Sequence, residues 1–446
     1  MKTSFGLAFL PLLWCCGHQA GEFVGVSLIQ EPSSSTKSVQ TSLDDSHAKN
    51  PGLTNQLDFD PLSILNEVAD TVAESFYDPN FDHLRWRRHV DEVSVDTLKS
   101  KTRDEFAAHI NRLLKTLNTS HTFYFAKSDP KRYQILSIFQ SLVDNDTDES
   151  YFVYPGIGIE TRLIDQRHIV LAVYDGFSAS QVGLMFGDEL LCVDHQPFHP
   201  IDSFVSKIGK SVTIEFKRNG KIQQLEAEVQ KLDGRTMFTS ALEASERVYL
   251  RNDKKIGYLH AWSYAGSHFH DTIRQSILWG ELSQCDALIL DLRDGWGGAD
   301  LNYLNLFRAP IAEIKSKSRS EEPRNYSGVW GKSVVLLTNQ RTTSGKELFA
   351  YGFKKLGLGK IVGAQTAGAV VAGRCFLLSN GDALYVAVSD IEVDGIRLEG
   401  KGVAPDICVP KPIPDGQCKI EEFKVTDEME ITDPQLQAAL NFLSGE

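Results

Sequence analysis

The segment Ala287-Leu-Ile-Leu-Asp-Leu292 carries five apolar residues in six, with no polar alternation. A strand of that kind is buried on both faces, so helices must cover both sides of its sheet. Other apolar runs keep the same rhythm. Ile256-Gly-Tyr-Leu259 precedes it, Val334-Val-Leu-Leu337 and Ile361-Val-Gly363 follow it, and amphipathic stretches lie between them. Strands alternating with helices predict an α/β core with a largely parallel sheet. The helix after Val334–Leu337 presents Leu348, Phe349, Gly352, Phe353 and Leu356 on one face. A closing helix starting at Asp433-Pro434 presents Leu436, Leu440 and Leu443. There is no Walker or dinucleotide glycine motif and no internal repeat.

Two other patterns precede this core. From Pro61 the period is helical, with Leu62, Leu65, Val68, Ala69, Val72 and Phe76 on one face. Thr102-Arg-Asp-Glu105 is a capping box for a second helix, whose stripe is Phe106, Ile110, Leu113, Leu114 and Leu117 and which ends near Asn118. From Phe152 to about Leu232 the chain turns to short strands punctuated by glycine. The 446 residues allow about three domains. The expected divisions are an export signal at 1–20, a serine-rich flexible linker at 21–55 and a helical domain at 56–145. A small β domain follows at 152–232, a core at 235–413, and a tail with a helix at 414–446.

The export signal rests on Lys2, the apolar run Phe5 to Trp14, and small residues from Cys15 to Ala20. That run falls short of the roughly 20 apolar residues that cross a bilayer, and no later run reaches that length. The expectation is an exported chain, periplasmic or extracellular and without a transmembrane helix, with Cys16 open as a lipid-attachment site. The formal net charge of −13 argues against a nucleic-acid partner, which selects for a basic face. Five cysteines remain after the signal, so at least one cannot pair within the chain. Cys408 and Cys418 are candidates either for a bridge or for two separate thiols. No cysteine or histidine spacing suggests a metal site, and His268-x-His270 lacks a third ligand. Neither a metal nor an organic cofactor is implied by the family that the core segments resemble, named below.

Three core segments carry chemistry. Asp291-Leu-Arg-Asp-Gly-Trp-Gly-Gly298 follows a buried strand, and its glycines let backbone amides approach a ligand. Arg341-Thr-Thr-Ser-Gly-Lys-Glu347 leads into a helix with Ser344 at its N-cap. A serine there reads either as a cap or as a nucleophile at the positive end of the helix. The Gly345 amide is a candidate oxyanion donor, and Glu347 reads as structural, one turn further on. Leu398-Glu-Gly-Lys-Gly-Val-Ala-Pro-Asp406 is a loop in which Glu399 would ordinarily be solvated.

The β segment resembles a PDZ domain. The match is Gly156-Ile-Gly-Ile-Glu160, Ser178-Ala-Ser-Gln-Val-Gly-Leu184 and Gly187-Asp-Glu-Leu-Leu191. The resemblance implies a peptide-binding loop at Gly156, Ile157, Gly158 and Ile159, with a sheet edge that takes a peptide as an extra strand. Together with that module, the three core segments and Val362-Gly-x-x-Thr366-x-Gly368 resemble the C-terminal-processing and tricorn-type serine peptidases, over roughly residues 60–410. The resemblance implies a spiral βαβ core of the crotonase type, a peptide or protein substrate, and an acyl-enzyme on Ser344. It also implies an oxyanion hole from Gly345 and Gly297 or Gly298.

The family divides by its general base. One branch uses a lysine about 25 residues after the nucleophile; that position is Ala369, which cannot take a proton. Lys346, two residues after Ser344 on the new helix, should point away from the hydroxyl, and Lys360 should be solvated. The tricorn-type branch uses a Ser-His pair ahead of the PDZ domain and a late glutamate. Ser120-His121 and Glu399 match those positions, which implies His121 as base, with Ser120 and Glu399 orienting or polarising it. Ser267-His268 is a rival pair, and His195 and His199 should be exposed. The competing expectation is a protein on the same fold that binds a peptide or a small hydrophobic ligand without catalysis.

Overall fold

The computed structural model describes residues 54–140, 149–310, 312, 314–317, 319, 324–409 and 433–446. The export signal, Cys15, Cys16, the linker up to residue 53, and Cys418 lie outside the described residues.

The strand Ala287–Asp291 is buried at all five positions. It is the third strand of a six-stranded sheet, ordered Arg247–Arg251, Lys254–His260, Ala287–Asp291, Ser333–Thr338, Lys360–Gly363 and Ile407–Cys408. The first pair is antiparallel and the rest are parallel. Side chains alternate across the sheet as the period of two requires. Ile256, Ala287, Ile289, Val335 and Val362 face the helix Pro434–Ser444 through Ala439, Leu440 and Leu443. Leu259, Leu288, Leu290 and Leu336 face the other way, onto the helices Ser267–Leu278 and Gly345–Lys355 through Ile273, Ile277, Phe349 and Phe353. Each such fully buried side chain stabilises the layers by about 1.5–3 kcal/mol. The result is the mixed α/β fold expected for the core.

The Asp-Leu-Arg part of the glycine turn is structural. Asp291 is fully buried and ion-paired to Arg293 at 2.5 Å, while Tyr258 donates to it at 2.9 Å. Burial alone would raise the Asp291 carboxyl, but the Arg293 guanidinium outweighs it and holds the group well below the usual carboxylate range. Arg293 also donates to Gln435 and pairs with Asp433, which pins the closing helix to this strand end.

The helices Pro61–Ser75, His83–Thr97 and Arg103–Leu114 form a separate apolar cluster. The capping box forms by half: Thr102 accepts from the Glu105 amide at 3.2 Å, but the Glu105 carboxylate takes the Lys101 amide. The helix runs on as a 3-10 turn to Leu117, and Asn118 is left-handed at φ 50°. This cluster packs on Leu378, Leu384 and Val386 of a hairpin formed by Ala372–Leu377 and Ala383–Ser389. The strand Phe123–Phe125 pairs with that hairpin, Phe123 opposite Tyr385. Arg103 seals the junction by pairing with the fully buried Asp382 at 2.7 Å. A segment more than 240 positions downstream therefore forms the floor on which the stretch after Asn118 lies.

Residues Ile159–Ile164, Arg167–Val173, Glu189–Val193, Ser211–Arg218 and Lys221–Glu228 form an antiparallel sheet around Val170, Leu190, Val212 and Ile214. Its edge strand Ile159–Ile164 contributes Glu160 and Arg162 to the lining of the cavity described below.

Candidate active site

The glycine turn and the Ser344 loop leave the same end of neighbouring parallel strands, where open α/β sheets place their crevices. Ser344 occupies the N-cap position of Gly345–Lys355, with φ 59° and ψ −133°. That backbone is unusual for a residue with a side chain, and strain of this kind persists only where the surroundings impose it. The Ser344 hydroxyl makes no capping hydrogen bond, so the cap reading is not the one the geometry realises. Its amide donates to the Ala369 carbonyl at 2.8 Å and its carbonyl accepts from Glu347 at 2.8 Å.

The turn lies directly on the Ser344 loop. A Cβ on Gly297 would stand 2.5 Å from the Ser344 Cβ and 2.7 Å from the Thr343 carbonyl oxygen, so only glycine fits. Among the described residues, the amides of Gly297, Gly298 and Gly345 have no hydrogen-bond acceptor. Amides of this kind can hold an oxyanion.

Lys346 and Glu347 hold the loop from below. The Lys346 side chain is fully buried and donates to the Asp294 carbonyl at 2.8 Å and the Trp262 carbonyl at 3.5 Å. Burial pushes its ammonium down to about 7, against the pull of Asp291 and Asp294. It thus ties the helix Gly345–Lys355 to the glycine turn. The buried Glu347 accepts from Thr366 and from the amides of Gly368 and Ala369, each amide at 2.7 Å. Those contacts fix the loop whose Ala369 carbonyl anchors Ser344. Ala369 itself lines the site, at the position where one branch of the resemblance has a lysine.

His121 comes from the stretch after Asn118, itself left-handed at φ 55°. Its Nδ1 lies 2.9 Å from Ser120 Oγ, which in turn donates to Glu399 Oε2 at 2.9 Å. Glu399 also accepts from the amides of Ser120 at 2.9 Å, Val370 at 2.7 Å and Val371 at 3.3 Å. Burial would raise this carboxyl, but the amides and the Ser120 hydroxyl outweigh it and lower it. An ionised Glu399 only accepts, so Ser120 must give it its hydroxyl proton and accept from His121 Nδ1–H. This network assigns the proton to Nδ1 and leaves Nε2 as a lone-pair acceptor. Burial pushes the imidazole down to about 4, against the Glu399 charge, so it is neutral near pH 7.

Ser120, His121, Gly297, Gly298, Ser344 and Ala369 line one cavity of about 360 Å³. Phe123, Phe125, Trp296 and Tyr385 give it an aromatic side. Among the described residues, no hydrogen bond joins His121 to the Ser344 hydroxyl. Catalytic contacts are often long without substrate and tighten when it binds.

The remaining candidates fall elsewhere. Gly156–Ile159 lies beside Pro130, Phe198 and Phe204 around a space of about 10 Å³. Gly158 packs so closely on Phe177 that a Cβ would come within 2.2 Å of the Phe177 Cβ. His268 bonds Thr239 on the helix Ser267–Leu278, away from Ser344. His195 is exposed as expected, but His199 is not. Its Nδ1 accepts from the amides of Ile201 and Asp202, and its Nε2 contacts Asp104 at 3.1 Å. It closes the joint between the β sheet and the N-terminal helices, a contact no local pattern announces. Cys192, Cys285, Cys375 and Cys408 are free thiols. Among the described residues, no cluster of three metal-ligating side chains occurs and no helix is long and apolar enough to cross a membrane.

Residues 255–409 match the sequence model of peptidase family S41. The chain is a serine-type peptidase, similar to that family over this stretch. The carboxyl-terminal-processing peptidase 3, chloroplastic, of Arabidopsis thaliana is 22% identical over 373 residues, covering 77% of this chain and 68% of the relative. The carboxy-terminal processing protease CtpB of Bacillus subtilis is 20% identical over 375 residues, covering 80% and 74%. The tricorn protease of Thermoplasma volcanium is 24% identical over 411 residues, 87% of this chain but 38% of the much longer relative. The S41 match takes in Ser344, the glycine turn and Glu399, while Ser120 and His121 lie outside it.

Proposed function

We propose that this serine-type peptidase is an exported endopeptidase of the tricorn-type branch, cutting peptide bonds through an acyl-enzyme on Ser344. The observation that carries the reading is the Glu399–Ser120–His121 relay, which leaves a neutral Nε2 in the cavity that Ser344 shares. Ser344 Oγ attacks the scissile carbonyl carbon as Nε2 takes its proton. The carbonyl oxygen becomes an oxyanion held by the amides of Gly345 and of Gly297 or Gly298. His121 then returns the proton to the leaving amine, and the C–N bond breaks. Water, deprotonated by the same imidazole, cleaves the ester and frees Ser344. Ser120 and Glu399 stabilise the imidazolium that forms at each step. The alanine at position 369 supports this branch over a lysine base.

The small β domain is read as a PDZ module that gates the site, and the core as crotonase-like. The space beside Gly156–Ile159 holds about one water, so a peptide end enters only if Pro130 or the Phe198–Phe204 segment moves aside. That supports gating over permanent capture.

The test uses a fluorophosphonate and a quenched peptide substrate. Wild-type protein should label at Ser344 and cleave; Ser344→Ala should do neither, and His121→Ala should lose several powers of ten in turnover at unchanged thermal stability. Undiminished cleavage by His121→Ala would remove His121 as base.

A further inference from the structure

The hairpin that carries the strand Phe123–Phe125 presents two faces. Phe123 stands opposite Tyr385 and Tyr124 opposite Leu384, so the period of two sends them to opposite sides. Tyr124, Leu384 and Val386 pack toward the N-terminal helices. Phe123, Phe125 and Tyr385 line the cavity that holds Ser344.

On that cavity face Tyr385 is the odd residue. Among the described residues its hydroxyl has no hydrogen-bond partner. Tyr124, Tyr133 and Tyr258 give theirs to Asp382, to the Lys127 carbonyl and to Asp291. A tyrosine in an apolar wall normally finds such a partner, and phenylalanine fills a wall without leaving a polar atom over. Burial raises the phenol above its usual range, so it stays protonated and can donate. The ring is also held in place. A Cβ on Gly373 would come within 2.3 Å of the Tyr385 Cζ and 2.7 Å of its hydroxyl oxygen, so the ring lies directly on that glycine. The His121 ring stands 5.6 Å away between centroids, tilted by 41°. A donor fixed in this way loses little freedom when a ligand meets it.

The surroundings select the ligand. The neighbours of the phenol are Phe123 and Cys375, opposite it in the sheet, and the neutral imidazole of His121. Uncharged surroundings favour a neutral acceptor over an ionised one. A peptide in this cavity brings such an acceptor with every residue, its main-chain carbonyl.

We propose that Tyr385 is a substrate-binding residue whose hydroxyl donates to a main-chain carbonyl of the bound peptide, beside His121. The proposal rests on the peptidase reading above. If Tyr385 only completes the wall, or only steadies the imidazole, no single carbonyl of the peptide depends on its hydroxyl.

The experiment uses the full chain and a quenched peptide. In a series of that peptide, one peptide bond at a time, other than the cleaved one, is replaced by an alkene, which removes its carbonyl. A neutral hydrogen bond of this kind makes kcat/KM for the parent peptide about fivefold lower in Tyr385→Phe than in wild type, with thermal unfolding unchanged. At one position the alkene should erase the difference between the two proteins, and at the others the difference should persist. Equal kcat/KM for the two proteins on the parent peptide would overturn the assignment. So would a difference that survives in every alkene peptide, since the hydroxyl would then act through His121. Either result leaves the peptidase standing. No cleavage by wild type and no fluorophosphonate label on Ser344 would overturn the peptidase reading, and this assignment with it.

Discussion

Replacing Ser120 by alanine tests the relay at its middle. In wild type the Ser120 hydroxyl accepts from His121 Nδ1–H and donates to Glu399. Ser120→Ala removes both bonds but keeps the three amides that hold Glu399, from residues 120, 370 and 371. The loop should therefore stay folded. What is lost is the stabilisation of the imidazolium that forms as Ser344 attacks. A hydrogen bond to a charged partner in a buried site contributes about 1.5–3 kcal/mol, and the stranded Nδ1–H costs a comparable amount. Those energies correspond to a fall of about ten- to a hundredfold in kcat, with KM nearly unchanged because the loss is felt in the transition state. Single-turnover phosphonylation by a fluorophosphonate, in which Ser344 Oγ bonds phosphorus and fluoride leaves, isolates the attack step, and circular dichroism controls for folding. Ser120→Thr keeps the hydroxyl and should recover most of the rate. Phosphonylation of Ser120→Ala within about threefold of the wild-type rate, with the fold intact, would refute the claim that Ser120 links His121 to Glu399.

The pH profile gives a second check. The His121 imidazole is lowered from 6.5 to about 4 and must be neutral to accept a proton, so kcat/KM should hold as pH falls through 6.5 and drop near 4. The unfolded chain binds this proton at 6.5 and the folded chain not until about 4. Stability should therefore also fall over that window, by up to about 1.4 kcal/mol per pH unit from this group. An activity limb at 6.5 would contradict the burial argument. Gly297→Ala should cut kcat by about a hundredfold or more, since its Cβ would press on Ser344 at 2.5 Å; a crystal structure of the variant with Ser344 unmoved would contradict it. Lys346→Met should flatten the rise in stability expected between pH 7 and 10, because the folded ammonium titrates near 7 and the unfolded one near 10.4. Chemical denaturation at several pH values reads this, and an unchanged slope would mean that the buried amine does not titrate there.

The local patterns carried far in this chain. Five apolar residues in Ala287–Leu292 require a doubly covered sheet, and the sheet is covered on both faces. The Thr102 cap and the turn at Asn118 are short-range events, and they fall where the spacing puts them. Ser344 at a strand-to-helix turn was legible too, because a βα turn and a helix start are written in consecutive residues. His199 misled for the opposite reason. Its polarity suggested solvent, but Asp104, 95 positions earlier, gives it a charged partner.

The sequence by itself determined the layers, the glycines of the turn at 295–298 and the identity of the chemical groups, since these follow from hydrophobic period, backbone sterics and side-chain type. It named Ser120, His121, Ser344 and Glu399 without the distances between them. Tertiary structure alone decided that the hairpin 372–389 carries the strand Phe123–Phe125, which brings His121 into the cavity of a serine 223 positions away. It also decided that the Ser344 hydroxyl is not spent on capping its helix and that Glu399, ordinary in a polar loop, is clamped by three amides. The lowered imidazole of His121 belongs to this second class. Electrostatics in a cleft depends on burial and on partners from distant segments, and neither is present in any window of the chain.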